Sequence, residues 1–337
     1  MSRRSLATLA LATALLLLTG CAGQDAPVSP VGPPAGRGEA APPTGGSPFW
    51  VDPDSDAARQ VEEYEKQGRA EDARIMRRIA NRPLAEWPAG DDPVPDVTRV
   101  VKGAAPEGRT VVLVAYNIPH RDCGMYSAGG ARDAQAYRDW VDAFASAVGD
   151  APAIVILEPD AVPHIVDGCT PAGHHAERLE LLAGAVERFK RQPRTRVYLD
   201  AGNPAWIDAP AKLVEPLRRA GIARADGFAL NVANFQKNDV VRGFGAGLSR
   251  LLGGTHFTVD TSRNGAGPLP GDRADAWCNP PGRALGVPPT DRTGDELVDA
   301  YLWIKRPGES DGTCRGGPAA GTWWPDYALG LARRANG

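Results

Sequence analysis

The chain has 337 residues, and its hydrophobic fraction of 42% is enough to build a sizeable core. Its 38 Lys and Arg against 41 Asp and Glu leave a formal net charge of -3 and a pI near 6.0. No basic surplus exists to neutralise phosphates, so nucleic acid is excluded as a partner.

The N-terminus reads as an export signal. Arg3 and Arg4 precede an apolar run from Leu6 to Leu18, which is too short to span a bilayer as a stable helix. The run ends in Leu18-Thr19-Gly20-Cys21, which resembles the bacterial lipobox. Residues 1–20 are therefore expected to be a lipoprotein signal peptide, with Cys21 the lipidated residue. The exported protein is expected to face outward from the cell membrane, touching it only through this anchor. Residues 21–46 are mostly Pro, Gly and Ala and cannot bury enough surface to fold, so they read as a tether. Residues 47–337 read as one domain, expected to work as a monomer. With Cys21 lipidated, Cys123, Cys169, Cys278 and Cys314 remain to form two disulfides in an oxidising compartment. Three pairings are open to four cysteines, and spacing does not choose among them.

Within the domain, short apolar runs alternate with amphipathic stretches. Strands are expected at Thr110–Tyr116, Ala153–Leu157, Arg196–Leu199, Gly227–Asn231, His256–Val259 and Ala300–Ile304. Helices are expected at Ala131–Val148, His174–Arg191, Pro210–Arg219 and Asp239–Leu251. That alternation predicts an α/β domain with a parallel sheet. Six or more repeats favour a β/α barrel over an open doubly wound sheet. No Gly-rich dinucleotide fingerprint follows the first strand, which counts against a Rossmann fold.

Barrel enzymes place their chemistry just past the strand ends. Here those positions read YNIPHRDC from Tyr116, EPD from Glu158, DAGN from Asp200, NVAN from Asn231, DTSRN from Asp260 and KRPGESDG from Lys305. Carboxylates follow five of these six candidates. A single one is most often a helix cap. Several on one rim repel, so at least one is expected to hold a proton near neutrality, which glycosidic bond cleavage requires. No metal is expected: the histidines lack a paired spacing, and the acids are too dispersed for a calcium loop.

In order along the chain, YNIPHRDC, ILEPDAV, YLDAGN, GFALNVANF, VDTSRNG, WCNPPGRALG and KRPGESDGTC resemble glycoside hydrolase family 6, the cellulases. The resemblance covers the chain from about Phe49 to its end. It implies a distorted, incomplete barrel of about seven parallel strands and hydrolysis of β-1,4-glucan with inversion, without a cofactor. Asp160 matches the general acid, and Asp122 the aspartate that raises its pKa and helps organise the water. Asp311 matches the residue proposed as base or as a charge near the anomeric centre. Tyr116 matches the tyrosine that crowds the sugar at the cleavage point. Asp200, Lys305 and Glu309 match sugar-site groups, Ser127 matches a water-holding serine more loosely, and Asn231 is placed with the substrate-binding set. The resemblance also implies the pairs Cys123–Cys169 and Cys278–Cys314. Both intervals are short for the family, which favours an open cleft and endo-cleavage.

Flat indoles stack on glucose rings, so Trp206, Trp277 and Trp87 are expected as platforms, whereas Trp303 sits inside a strand and is expected in the core. Two positions depart from the family pattern. Asn203 stands where a histidine is usual, and His120 where Gly, Asp or Asn is commoner. The expected partner is a β-glucan, cellulose or a related one. The alternatives are the same chemistry on another extracellular or envelope β-glucan, or an inactive surface carbohydrate-binding protein. Four aspartates argue against the last, because a binder gains nothing from holding like charges close.

Overall fold

The computed structural model describes residues 47–271 and 275–335, so the expected signal peptide, Cys21 and the tether lie outside the described residues. The apolar runs form strands buried on both faces, as parallel strands covered on both sides must be. They are β1 (Val111–Ala115), β2 (Ala153–Leu157), β3 (Thr195–Asp200), β4 (Gly227–Leu230), β5 (His256–Asp260) and β6 (Val298–Leu302). All pair in parallel and in sequence order, as a single six-stranded sheet. Crossovers of one hand between successive neighbours curl such a sheet the same way at every step. The result is a distorted, incomplete barrel, not a doubly wound sheet.

Side chains alternate across the curl. Val112, Val114, Ile154, Ile156, Tyr198, Ala229, Ala300 and Leu302 cluster on its inner face with Phe49 and Ala85. Leu113, Ala115, Val155, Leu157, Val197, Leu199, Phe228 and Phe257 face outward into the layer beneath the helices.

The helices are α1 (Asp56–Lys66), α2 (Ala70–Ala80), α3 (Val94–Ala104), α4 (Ala134–Val148), α5 (Pro163–Val166), α6 (His175–Phe189), α7 (Ala211–Arg219), α8 (Asn238–Leu251) and α9 (Pro325–Arg333). In α4, Asp133 caps the first turn by accepting the Ala136 N–H at 2.8 Å. Tyr137, Trp140, Val141, Phe144 and Val148 then recur at helical spacing and are buried against the sheet. Gly245 of α8 lets that helix close onto β5, since a Cβ there would stand 2.4 Å from the Phe257 ring. Helices α1, α2 and α9 build a second cluster around Tyr64, Met76, Ile79 and Leu331, to which Trp303 belongs, 2% exposed.

The edges of the sheet are joined by an extended segment rather than by a regular seventh strand. Glu86 N donates to Val112 O and Val114 N donates to Glu86 O, while Ala85 N donates to Trp303 O. Ala85 and Glu86 thus lie between β1 and the end of β6. This carries the next residue, Trp87, to the rim. The last strand also differs from expectation: it begins at Val298 and ends at Leu302. The Asp260 carboxylate accepts the Ile304 and Lys305 N–H groups at 3.3 and 2.9 Å, which ends the ladder there.

Candidate active site

The rim at the C-terminal ends of the strands is built from strained backbone. Among the described residues, nine non-glycine residues have positive φ: His120, Asp122, Cys123, Glu158, Asp160, Asn231, Ala233, Asn279 and Arg315. Seven follow β1, β2 or β4, and Asn279 and Arg315 lie on two loops joined by a disulfide. Such conformations cost on the order of 1–3 kcal/mol each and persist only where the surroundings over-determine them.

Buried carboxylates supply that constraint. Glu158 accepts the N–H groups of Asn117 and Ile118 at 3.0 Å, tying the loop after β1 to the end of β2. Asp200 Oδ2 accepts the Asp160 N–H at 2.9 Å and the Gly202 N–H at 3.3 Å. Asp260 accepts from Ala233 and Ser262 as well as from Ile304 and Lys305. Buried Arg178 donates to Pro119 O, His120 O and Thr170 Oγ1, adding a cross-tie between the loops after β1 and β2. The strand-end acids therefore sort into two sets. Glu158, Asp200 and Asp260 hold backbone beneath the rim, while Asp122, Asp160 and Asp311 line a cavity of about 640 Å3.

Nine of the expected site residues line this cavity: Tyr116, Asp122, Asp160, Asp311, Lys305, Ser127, Trp206, Trp277 and Trp87. Asp200, Glu309 and Asn231 lie under its floor, 1%, 3% and 0% exposed. Asn231 spends its amide on the fold, donating to Asp260 O at 2.8 Å and accepting from Gln236 N at 3.1 Å. Glu309 pairs with Arg306 at 2.5 Å and lies 3.8 Å from Lys305 Nζ.

At one end of the cavity, ligand atoms of Asp122, Asp160 and His164 fall within 4.8 Å of one another. Loss of water pushes the Asp160 carboxyl well above the usual carboxylate range, and the charges of Asp200 and Asp122 push it further. Desolvation also raises Asp122, against the pull of the Ser127 N–H that its Oδ2 accepts at 2.6 Å. Asp200 is driven up to about 7, chiefly by burial. Tyr116 is likewise raised by burial and by the nearby Asp160 and Asp122 charges. Arg121 lies over the Tyr116 ring at 4.6 Å and donates to Ser127 O, fixing the tyrosine and the serine together.

On the far loop of the cleft, Asp311 is held from three sides. Its Oδ2 accepts from Arg263 Nη1 at 2.8 Å and from Asn279 N at 2.9 Å, and its own N–H returns to Asn279 Oδ1 at 2.8 Å. Lys305 Nζ stands 4.0 Å from Oδ1. Burial pulls the Lys305 ammonium pKa down, opposed by Glu309 and Asp311. The disulfides are Cys123–Cys169 and Cys278–Cys314, each adjoining one of these constellations.

The aromatic residues are fixed by their polar ends. Trp87 Nε1 donates to Ile304 O at 2.8 Å, and its ring meets Tyr116 edge-on at 5.5 Å. Trp206 Nε1 donates to Asp167 Oδ2 at 2.8 Å, and Trp277 lies 6.0 Å from Tyr126. Asn203 acts locally. Its Oδ1 accepts the N–H groups of Ala205 and Trp206, shaping the turn that presents the Trp206 indole. His120 stands against His174 with ring centroids 4.2 Å apart.

The family model described as "Glycosyl hydrolases family 6" matches residues 44–335. The chain belongs to that family. Endoglucanase A of Thermobispora bispora is 42% identical over 296 residues, which cover 86% of this chain and 62% of the relative. Endoglucanase 1 of Streptomyces halstedii is 41% identical over 291 residues, 83% of this chain and 87% of the relative. The chain thus spans less than two thirds of the first of these relatives. Among solved structures, the endoglucanase Cel6 of Mycobacterium tuberculosis matches with a TM-score of 0.78 and 43% identity, covering 87% of this chain and 99% of that one. That enzyme was solved in complex with methyl-cellobiosyl-4-deoxy-4-thio-β-D-cellobioside.

Several residues of this family 6 site carried no singular sequence signal. His164 and Asp167 follow the EPD string but sit in an otherwise ordinary short helix and turn. Arg263 and Asn279 fall inside quoted motifs, yet only the fold reveals that both grip Asp311. Glu158 and Asp260 were visible as strand-end acids, and what separates them from Asp160 is the direction in which each side chain points.

Proposed function

We propose that the chain hydrolyses β-1,4-glucosidic bonds within cellulose or a related β-glucan, with inversion at the anomeric carbon and Asp160 as the general acid. The observation that carries this reading is the setting of Asp160. Its carboxyl faces a large cleft, is starved of water, and has Asp122 within 4.8 Å and Asp200 on its own backbone N–H. An acid so placed keeps a proton to give to a leaving oxygen.

Asp122 and Asp160 are too close to sandwich a water and a sugar ring, which in inverting enzymes takes carboxyls roughly 6.5–9.5 Å apart. Asp122 therefore serves to raise the acid and organise the water. Asp311, fixed by Arg263 and facing Lys305, supplies base function or charge near the anomeric centre. Tyr116 crowds the sugar at the cleavage point, with Ser127 beside it. Trp87, Trp206 and Trp277 are the stacking platforms, with Lys305 a direct polar contact. Asp200, Glu309 and Asn231 contribute from beneath, by holding Asp160, Lys305 and the loop after β4. The short intervals inside both disulfides support an open cleft and endo-action, as do relatives named endoglucanases.

The same proposal makes residues 1–20 a signal peptide, Cys21 the lipidated anchor, 21–46 a tether and 47–337 the monomeric catalytic domain facing outward. The string ending in Cys21 supports it. Such an anchor keeps the enzyme near its own cell, which favours an envelope β-glucan as the second candidate substrate. A panel of carboxymethylcellulose, mixed-linkage glucan and envelope polysaccharide, run with wild type and Asp160→Ala, tests the reading. Release of reducing ends by wild type alone, with the α-anomer formed first, is expected. No release from any polymer, or a β-anomer first, overturns it.

A further inference from the structure

His164 Nε2 is buried without a hydrogen-bond partner, on a residue only 4% exposed. An unsatisfied buried group of this kind costs about 1–3 kcal/mol. It faces Asp122 Oδ1 at 4.0 Å. That gap is too long for a hydrogen bond. Two ligands on one tetrahedral Zn2+, with bonds of about 2.0–2.1 Å, stand roughly 3.3 Å apart, so a side-chain shift of under about 1 Å brings both atoms onto one ion. Asp160 completes a trio whose ligand atoms all lie within 4.8 Å of one another.

The backbone and the neighbouring shell favour the same arrangement. His164 N donates to Asp160 O at 2.9 Å, so a single backbone turn separates the two residues. Asp122 enters from the loop after β1, which the Cys123–Cys169 disulfide joins to the segment following α5. The other ring nitrogen, Nδ1, lies 3.4 Å from Asp167 Oδ2, and Asp167 is itself held by Trp206 Nε1. A carboxylate behind the distal nitrogen is the usual means of fixing a metal-binding histidine with its free nitrogen toward the ion.

We propose that Asp122, Asp160 and His164 form a site for a borderline divalent cation of the Zn2+ class, taken up in competition with substrate. One nitrogen and two carboxylates suit Zn2+ or Cu2+. Mg2+ and Ca2+ take six or more oxygens and prefer more waters and carbonyls than this corner offers. Three protein ligands leave a fourth position for water. Binding itself is independent of the polymer the enzyme cuts. Its consequence rests on the proposed function, since a cation on Asp160 displaces the proton that the acid donates. Zn2+ is then a reversible inhibitor.

Calorimetry of the full chain with zinc chloride, and with magnesium chloride as control, tests the site. One Zn2+ per chain is expected, weakened at least tenfold in His164→Gln and in Asp122→Asn, with no binding of Mg2+ at the same concentrations. His174→Gln, at the surface pair with His120, is expected to leave that affinity unchanged. Loss of binding in His174→Gln instead, or full affinity in His164→Gln, overturns the proposal. Anomalous diffraction from wild-type crystals soaked in zinc needs no variant to fold: a peak among Asp122, Asp160 and His164 supports the site, and its absence refutes it. Zinc seen at this site that leaves hydrolysis untouched would refute the proton-donor role of Asp160 and uphold the site.

Discussion

Arg263 Nη1 lies 2.8 Å from Asp311 Oδ2, and the arginine is wholly buried. Its other terminal nitrogen, Nη2, donates to Ala233 O, and its guanidinium lies 4.4 Å over the Phe235 ring. The strained loop after β4 and the loop carrying Asp311 are therefore set by one side chain. Asp311 enters the cleft as half of an ion pair, with Oδ2 spent on Arg263 and Asn279 and Oδ1 left toward Lys305. That geometry favours the role of a fixed charge near the reacting carbon.

Replacing Arg263 by Met keeps much of the bulk and strands a buried carboxylate. Breaking one side of such a pair costs about 3–5 kcal/mol. Arg263→Met is thus expected to unfold at markedly lower urea than wild type. Adding Asp311→Asn should return much of the loss without returning activity. The cycle is read from urea midpoints of the two single variants and the double. If the two effects simply add, the pair is not the source of the stability.

The proton-donor role proposed for Asp160 is separable from binding through the leaving group. Cellulose departs as an alkoxide and needs a proton, whereas a dinitrophenolate does not. Asp160→Ala should lose about 10²–10⁴ in kcat on the polymer. On a dinitrophenyl cello-oligosaccharide it should stay within about tenfold of wild type, because general-acid help contributes little there. Equal losses on both would mean that the aspartate acts on binding or on the water.

The fold was legible where one pattern admits one answer. Apolar runs such as Ala153–Leu157 can be buried on both faces only in a covered parallel sheet, and that strand begins and ends as expected. The end of β6 was not legible, because it is set by the Asp260 carboxylate, a contact between residues 44 apart in sequence. The site divides in the same way. Strand-end position marks Asp160, Asp200 and Asp260 alike. Only the curl of the sheet and the positive φ at Glu158, Asp160 and Asn231 decide which side chain meets the cleft and which binds backbone. Asn203 stood out only as a departure from the family pattern, and the structure places its side chain in the turn beneath Trp206.

The activity profile should carry the mark of Asp200. Asp160 is held high first by loss of water and then by the Asp200 charge. A general acid loses activity as pH rises through its own pKa, so the alkaline limb of kcat/KM follows Asp160. Asp200→Asn keeps an acceptor for the Asp160 N–H and removes the charge. The alkaline limb is then expected to move to lower pH, by about one unit. A limb that stays in place or moves up would separate that limb from Asp160.

Glu158 makes a stability prediction with a definite sign. Burial drives its carboxyl up to about 7, against the hydrogen bonds from Asn117 and Ile118. In the unfolded chain it titrates near 4.3, so between about pH 4 and pH 7 the folded state holds a proton that the unfolded state has released. Stability follows the difference in bound protons, and here it falls as pH rises across that window. Below the window the full contribution is present; above it, on the order of 4 kcal/mol is gone for this one group. Asp200, also near 7, adds a slope of the same sign. Glu158→Gln cannot titrate, so it should lose its share of the slope. Urea midpoints at pH 5 and pH 8 measure this directly. The gap between them should be wider in wild type than in Glu158→Gln, and equal gaps would show that Glu158 does not change charge in that range.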